Sequence, residues 1–503
     1  MPRQERVRRL AKQVWPMRDG RDRSAVGFAA FASGWSVMSL EMLDGRLMAP
    51  VFGQTIHQWG AIIGTALAFM SLGYWAGGRL GGRANAARLL PLLLAIAACA
   101  AALTPWIGRP LASALENLLG PLAGAVATSA VLIGPPAFTL AAVSPLCVAR
   151  LAASGSPAKA SGSISALAAL GSIGGTFFAA FYAIPYMGLT AGYASASLLS
   201  AAAALATGLA PLRAALVMAP LALGIWAERA QASRFTEYFE TIYNTVMVWD
   251  APEATYLLLN SPLAVQSARR KDGRLTGSYW EMMAAVPSLT QGRDSLFLGV
   301  AGGSAVDAMT KAWADVRSTG VEIDPGVTDV ARRHFGLTIP VTHDDARRFV
   351  ETSQTQFDII VVDLYATGQI PSHVATVEFF QAVSRRLRSG GVVAVNVFGA
   401  GDPRSIVAPM AATMMAAFPS VLATQTGSGN TILLAWQEPV AVEQAREMLD
   451  ATPASAASAS TRMQATLREA SLVANGAVPL TDELSDMDTR AARAVAAQRR
   501  APR

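Results

Sequence analysis

Residues 295–309, SLFLGVAGGSAVDAM, decide the fold of this chain. An apolar run ends at Gly299, a glycine-rich turn follows through Gly303, and a helix-like segment opens at Ser304. The same grammar repeats downstream: VRSTGVEIDP, VTHDDARRF, FDIIVVDLYATGQ and RLRSGGVVAVNVFG carry the chain from 316 to 399. Short apolar runs that close on Gly or an acid, with helical segments between them, predict βαβ units and a parallel sheet. In such sheets ligands bind outside the carboxyl ends of the strands, which is where Glu322, Asp345 and Asp363 fall.

Outward from this stretch, the composition divides the chain. Its 503 residues are 52% hydrophobic and only 15% charged, with a mean hydropathy of +0.34. Soluble domains carry about 25% charged residues. The deficit lies almost wholly in residues 24–227. Hydrophobic segments at 24–43, 58–78, 87–106, 118–146, 161–184, 189–209 and 212–228 each approach the ~20 residues that span a bilayer. The fold class expected is therefore a multi-pass α-helical membrane domain of about seven helices plus an α/β Rossmann-like domain. The expected division is a basic tail (1–23), a transmembrane domain (24–229), a small antiparallel β-unit with a connecting helix (230–290), a Rossmann-like binding domain (291–450), and a C-terminal helix with a basic tail (451–503).

Within the membrane half, Gly134-Pro135-Pro136 predicts a break in the fourth segment, and 107–117, with Pro110 and Glu116, reads as interfacial. Gly and Ala are dense in segments two and five, as helix-packing faces require. Arg79, Arg83, Arg88, Arg150, Lys159 and Arg213 fall on the same side as the basic tail, so the N-terminus is expected in the cytoplasm of a multi-pass protein of the cell (inner) membrane. Seven spans would then put the C-terminal domain outside, away from where a nucleoside co-substrate is made; the sequence leaves its side undetermined. Glu41, Asp44 and Arg46 end the first segment, read either as an interfacial ion pair or as a polar binding site.

The tail's eight basic residues before a hydrophobic helix set topology and touch anionic lipid; no nucleic-acid partner is expected. Cys99 and Cys147 stand alone in apolar segments, so neither a disulfide framework nor a zinc site follows, and no metal is expected. In the soluble half, YNTVMVWD (243–250), TYLLLN (255–260) and SPLAVQS (261–267) alternate as antiparallel strands. SYWEMMAAVPSL (278–289) reads as a helix carrying Tyr279 and Glu281. Gly299 and Gly303 let backbone approach a ligand at a helix N-terminus. Glu322, 19 residues after Gly303, can accept hydrogen bonds from ribose hydroxyls. Asp345-Ala346 stands where an adenine amino group could be received, and Asp324 before Pro325 reads as a helix cap.

These residues resemble the spermidine synthase (polyamine aminopropyltransferase) family, and the membrane half, through E…R…P.FG (41–53) and GYWAGGRLGGR (73–83), resembles its membrane-fused members; the resemblance implies that 291–450 is a methyltransferase-type, S-adenosyl-binding domain. The resemblance runs from about Tyr243 to Phe398: YN (243–244), Gln266, YWEM (279–282), GVAGGS (299–304), VEIDP (321–325), DAR (345–347), VVD (361–363), VEFFQ (377–381) and LRSGG (387–391), with LTDELSDMD (480–488) beyond it. It implies that Glu322 holds ribose, that Asp345 holds adenine and that Asp363 is the catalytic base. It places Tyr243, Gln266, Tyr279, Glu281 and Tyr365 on the amine side. It implies decarboxylated S-adenosylmethionine, or S-adenosylmethionine itself, as co-substrate. A sulfonium carbon is attacked only by a neutral amine, so a carboxylate must orient the amine and take its proton. The chain departs from the family where an Asp of the glycine loop becomes Gly302, where a second Asp of the loop after Asp363 becomes Ala366, and where a Tyr and a His become Ala375 and Trp280. Three functions are therefore expected in competition: aminopropyl transfer to an amine at the membrane, methyl or other alkyl transfer from S-adenosylmethionine, and binding of a nucleoside or polyamine without turnover. The bilayer and a small amine are the partners expected, with a homodimer among the assemblies open to it.

Overall fold

The computed structural model describes residues 20–53, 55–83, 86–153, 156–211, 232–262, 264–365, 370–399, 406–427 and 429–483, with single positions between 219 and 230. The chain forms two compact units, 1–233 and 234–503.

The first unit is helical: α1 (Gly20–Phe52), α2 (Ile56–Leu80), α3 (Ala86–Leu119), α4 (Pro121–Leu132), α5 (Gly134–Ala152), α6 (Pro157–Phe178, continued by a π-helical stretch to Met187) and α7 (Leu189–Ala206). Six helices among the described residues are long and apolar enough to cross a membrane. The expected segment 212–228 lies largely outside the described residues. The break at Gly134-Pro135 is present, between α4 and α5. Residues 107–117 lie within α3, which runs through Pro105 and Pro110 to Leu119, with Glu116 buried.

Glycines of the second and fifth segments do what their density predicts. A Cβ on Gly73 or Gly77 would lie 2.3 Å from the Phe138 carbonyl or 2.5 Å from the Ala142 carbonyl of α5. A Cβ on Gly171 or Gly175 would lie 2.0 Å from the Phe31 carbonyl or 2.2 Å from the Trp35 carbonyl of α1. Only hydrogen fits there, so backbones meet directly. Asp44 accepts a 2.5 Å hydrogen bond from the Tyr193 hydroxyl, and Glu41 is buried one turn earlier on α1.

The second unit begins with a four-stranded antiparallel sheet, β1 (Glu237–Glu240), β2 (Thr245–Asp250), β3 (Ala254–Leu259) and β4 (Val265–Arg270), in sequential order. A 3₁₀ helix, Tyr279–Leu289, connects it to an eight-stranded sheet. That sheet contains β5 (Asp294–Leu298), β6 (Arg317–Val321), β7 (Val341–Thr342), β8 (Phe357–Val362), β9 (Leu387–Phe398), β10 (Ser420–Gln425), β11 (Asn430–Trp436) and β12 (Arg468–Glu469), ordered β12-β10-β11-β9-β8-β5-β6-β7. The strands from β9 through β8, β5 and β6 to β7 pair in parallel; β11, β10 and β12 are antiparallel additions. Strands buried on both faces read as continuous apolar runs. Leu296 and Leu298 accordingly enter one core and Phe297 the other. The order reverses between β5 and β8, and that switch point places the ends of β5, β6 and β8 side by side.

Candidate active site

The glycine turn leaves β5 with Gly299 at φ +86° and Gly303 at φ +84°, the left-handed region that Gly enters without steric cost. Gly299 is needed for a second reason: a Cβ there would lie 2.2 Å from the Asp363 carbonyl oxygen. The turn and the end of β8 are thus in backbone contact. Gly303 caps the helix α8 (Ser304–Ala312).

Glu322, at the end of β6, closes over this turn. Its Oε2 accepts the Val300 and Ala301 N–H groups (3.2 and 3.0 Å), and its Oε1 accepts the Asp324 N–H (3.2 Å). A carboxylate offers about four acceptor sites, so one remains on Oε1. Glu322 is partly exposed. Burial pushes its carboxyl up, against the pull of these N–H donors. Asp324 caps the helix α9 (Pro325–Val330), accepting from Gly326 N at 3.0 Å, and also receives the Thr241 hydroxyl and the Asn244 amide (2.6 and 2.8 Å).

Asp345 caps the helix α10 (Ala346–Thr352), whose first residue, Ala346, is buried. Its Oδ1 accepts the Arg347 and Arg348 N–H groups (2.9 and 3.0 Å), and its Oδ2 lies 3.1 Å from His373 Nε2. Burial raises this carboxyl, but the Arg348 N–H and His373 outweigh it and hold it below the usual range. Arg347 is clamped by Asp482 (2.5 and 2.7 Å), part of the TD element near 480.

Asp363 follows β8, and its oxygens have different partners. Oδ2 accepts the Tyr279 hydroxyl at 3.0 Å and Oδ1 the Asn396 amide at 2.8 Å. Asn396 is held in turn by Asn430 Nδ2, which donates to its Oδ1 at 2.9 Å. Tyr365 donates to the Asn396 carbonyl (3.2 Å) and accepts the Phe398 N–H (2.9 Å). Burial pushes the Asp363 carboxyl up, moderated by Asn396 and Tyr279, and pushes the Tyr279 hydroxyl well above the usual phenol range. A more basic carboxylate, fixed by two donors and still partly exposed, suits a proton acceptor.

A cavity of about 450 Å³ adjoins these groups. Gln266, Tyr279, Tyr365, Asn396 and Asn430 line it, with Trp280 and Tyr256 as aromatic walls. The structure therefore gathers Gln266, Tyr279 and Tyr365 at Asp363. It places two other expected amine-side residues elsewhere. Glu281 accepts from Gly277 N and faces Arg462 at 3.1 Å, outside this cavity. Tyr243 sits on the β1–β2 turn, 36% exposed, and does not line the cavity. Asn396 and Asn430 were not expected; the one signal for Asn396 is a lone amide inside the apolar run VVAVNVF. Ala366, at the expected second acid, lies outside the described residues.

Residues 277–400 match the family model described as the spermine/spermidine synthase domain. A probable polyamine aminopropyl transferase of Bifidobacterium longum is 34% identical over 196 residues, covering 38% of this chain and 42% of that protein. An N-terminal histidine N-methyltransferase of Emericella nidulans is 33% identical over 128 residues, covering 24% and 22%. A probable spermidine synthase from Corynebacterium glutamicum has a solved structure that aligns with a TM-score of 0.41 at 19% identity, covering 50% of this chain and 97% of that one. The resemblance read from the sequence is thus found again in its central segment, while the matches span less than half the length of these two curated relatives.

Proposed function

We propose that the second unit transfers an aminopropyl group from decarboxylated S-adenosylmethionine to an amine. The observation that carries this reading is the carboxylate of Asp363, aimed by Tyr279 and Asn396 from a backbone that packs against the glycine turn. The donor side fits: Glu322 keeps one acceptor site for a ribose hydroxyl, and Asp345 keeps one on Oδ2 for an adenine amino group. The acceptor enters through the cavity and gives its ammonium proton to Asp363. Its lone pair then forms the N–C bond as the C–S bond breaks, and methylthioadenosine leaves. Holding nucleophile and sulfonium carbon in line supplies much of the acceleration. The six apolar helices anchor this reaction at a membrane, with the N-terminus cytoplasmic by the positive-inside rule.

One observation favours a second reading, methyl or alkyl transfer from S-adenosylmethionine. At Gly302, where the family places an acid, the space is taken by Ser267: a Cβ would meet Ser267 Cβ at 2.6 Å, and Gly302 N donates to Ser267 Oγ at 2.9 Å. No carboxylate at this position repels a donor that retains its own. Incubation of the purified full chain with each sulfonium donor and a panel of amines, followed by mass spectrometry, separates the two readings. Methylthioadenosine from the decarboxylated donor is expected; S-adenosylhomocysteine, or methylthioadenosine from S-adenosylmethionine alone, selects the second reading, and neither product from either donor refutes both.

A further inference from the structure

The charge of the acceptor cavity narrows its substrate. Among the described residues that line it, only Glu253 and Arg270 are ionisable side chains other than tyrosine. Arg270 is held by Asp272 at 2.9 and 2.5 Å. Glu253 is exposed on the β2–β3 turn, its Oε1 3.4 Å from the Tyr256 hydroxyl. The inner wall is neutral: amides from Gln266, Asn396 and Asn430, hydroxyls from Thr276 and Ser278, and the Trp280 ring. Glu281, the acid nearest in sequence to Tyr279, is neutralised by Arg462 outside the cavity.

A diamine of the kind that polyamine synthases extend is a dication in water. Its reacting end is served by Asp363. Its other ammonium would enter a wall that offers dipoles but no counter-charge, and a buried cation without a partner is strongly disfavoured. A screened carboxylate at the mouth compensates little. Amides, hydroxyls and aromatic faces suit instead a body that is uncharged, in part apolar, and able to hydrogen-bond. At about 450 Å³ the cavity is also of small-molecule size.

We infer that the acceptor is a monoamine: one ammonium, which Asp363 deprotonates, on an uncharged body that the amide and aromatic wall holds. This rests on the aminopropyl-transfer reading above. The test is turnover of the full chain in detergent with decarboxylated S-adenosylmethionine and three acceptors: 1,4-diaminobutane, N-acetyl-1,4-diaminobutane and 2-phenylethylamine. At least one monoamine is expected to exceed 1,4-diaminobutane in kcat/KM by tenfold or more; a smaller margin, or preference for the diamine, overturns the inference while leaving aminopropyl transfer intact. Methylthioadenosine from none of the three sinks both. Two variants add an independent readout. Gln266→Glu places an acid on the wall and is expected to raise the diamine-to-monoamine ratio of kcat/KM tenfold; an unchanged ratio counts against the inference. Glu253→Gln is expected to change that ratio by less than twofold, and a tenfold fall would show that the mouth carboxylate holds a second ammonium.

Discussion

Asp363→Asn separates base catalysis from site assembly. The side chains are isosteric, so packing is kept. The aspartate accepts from two donors, Asn396 Nδ2 at 2.8 Å and the Tyr279 hydroxyl at 3.0 Å. An amide accepts through its oxygen alone, so one donor must change role. Asn396 cannot turn without losing the Asn430 bond on its Oδ1, whereas the Tyr279 hydroxyl can rotate and accept. The substituted amide therefore points its oxygen at Asn396 and its NH₂ at Tyr279, and the network survives. The proton acceptor does not. A positioned base is worth about 10²–10⁴ in rate, or about 2.7–5.4 kcal/mol at 1.36 kcal/mol per tenfold. Glu322 and Asp345 are untouched, so the affinity for methylthioadenosine should stay within a few-fold. Single-turnover formation of methylthioadenosine, with calorimetric titration of the same preparation, measures both. A rate within tenfold of wild type would remove Asp363 as the base, and a tenfold loss of nucleoside affinity would mean that it belongs to the donor site.

Four further outcomes follow from the same geometry. Asn430→Ala frees the Asn396 amide to turn from Asp363, so kcat should fall about tenfold while the donor KM is unchanged; a matching rise in donor KM would refute a positioning role. Gly299→Ala should destabilise by about 2–5 kcal/mol, combining a left-handed alanine at roughly 1–2 with overpacking at about 1–3, read as loss of turnover and a lower unfolding temperature. Because burial raises the Asp363 pKa and the reaction needs the ionised form, the acid limb of kcat should lie above the ordinary aspartate value of about 3.9, with activity lost as pH falls through it. Gly171→Leu drives a side chain into the Phe31 carbonyl and should prevent α6 from seating on α1, seen as aggregation in detergent gel filtration; a monodisperse, active variant would contradict that packing.

The parts of this molecule that could be read from sequence are those where the chemistry is local. A glycine turn and the acids at the ends of β6, β7 and β8 each announce themselves within a few residues, because a strand end and the side chain that follows it are neighbours in the chain. Asp324 as a cap is legible for the same reason. Contacts across the fold are not. Glu281 looks like an amine-side residue beside Tyr279, but Arg462, 181 positions away, takes its charge. Asn430 reaches Asn396 only because β11 runs antiparallel to β9, in a register that sets Asn430 against Phe398.

The small antiparallel sheet connects the glycine turn to the cavity wall. Ser267 and Gln266 are neighbours on β4. Ser267 Oγ accepts Gly302 N, and Ser304 Oγ both donates to the Ala268 carbonyl and accepts its N–H, each at 2.9 Å. β4 is thereby fastened to the glycine turn and to the start of α8. Gln266, one residue earlier, lines the cavity, so the same strand that seats the turn also sets the wall. An acid at 302 cannot be restored on this backbone without displacing Ser267, because even a Cβ would come within 2.6 Å of it. The glycine at 302 and the seating of β4 are thus one structural fact. Its consequence falls on donor choice: a carboxylate there would attract the ammonium of the decarboxylated donor and repel the carboxylate of S-adenosylmethionine, and with Ser267 in that space neither force operates. Under the proposed reading, discrimination between the two donors therefore has to come from the remainder of the arm's surroundings.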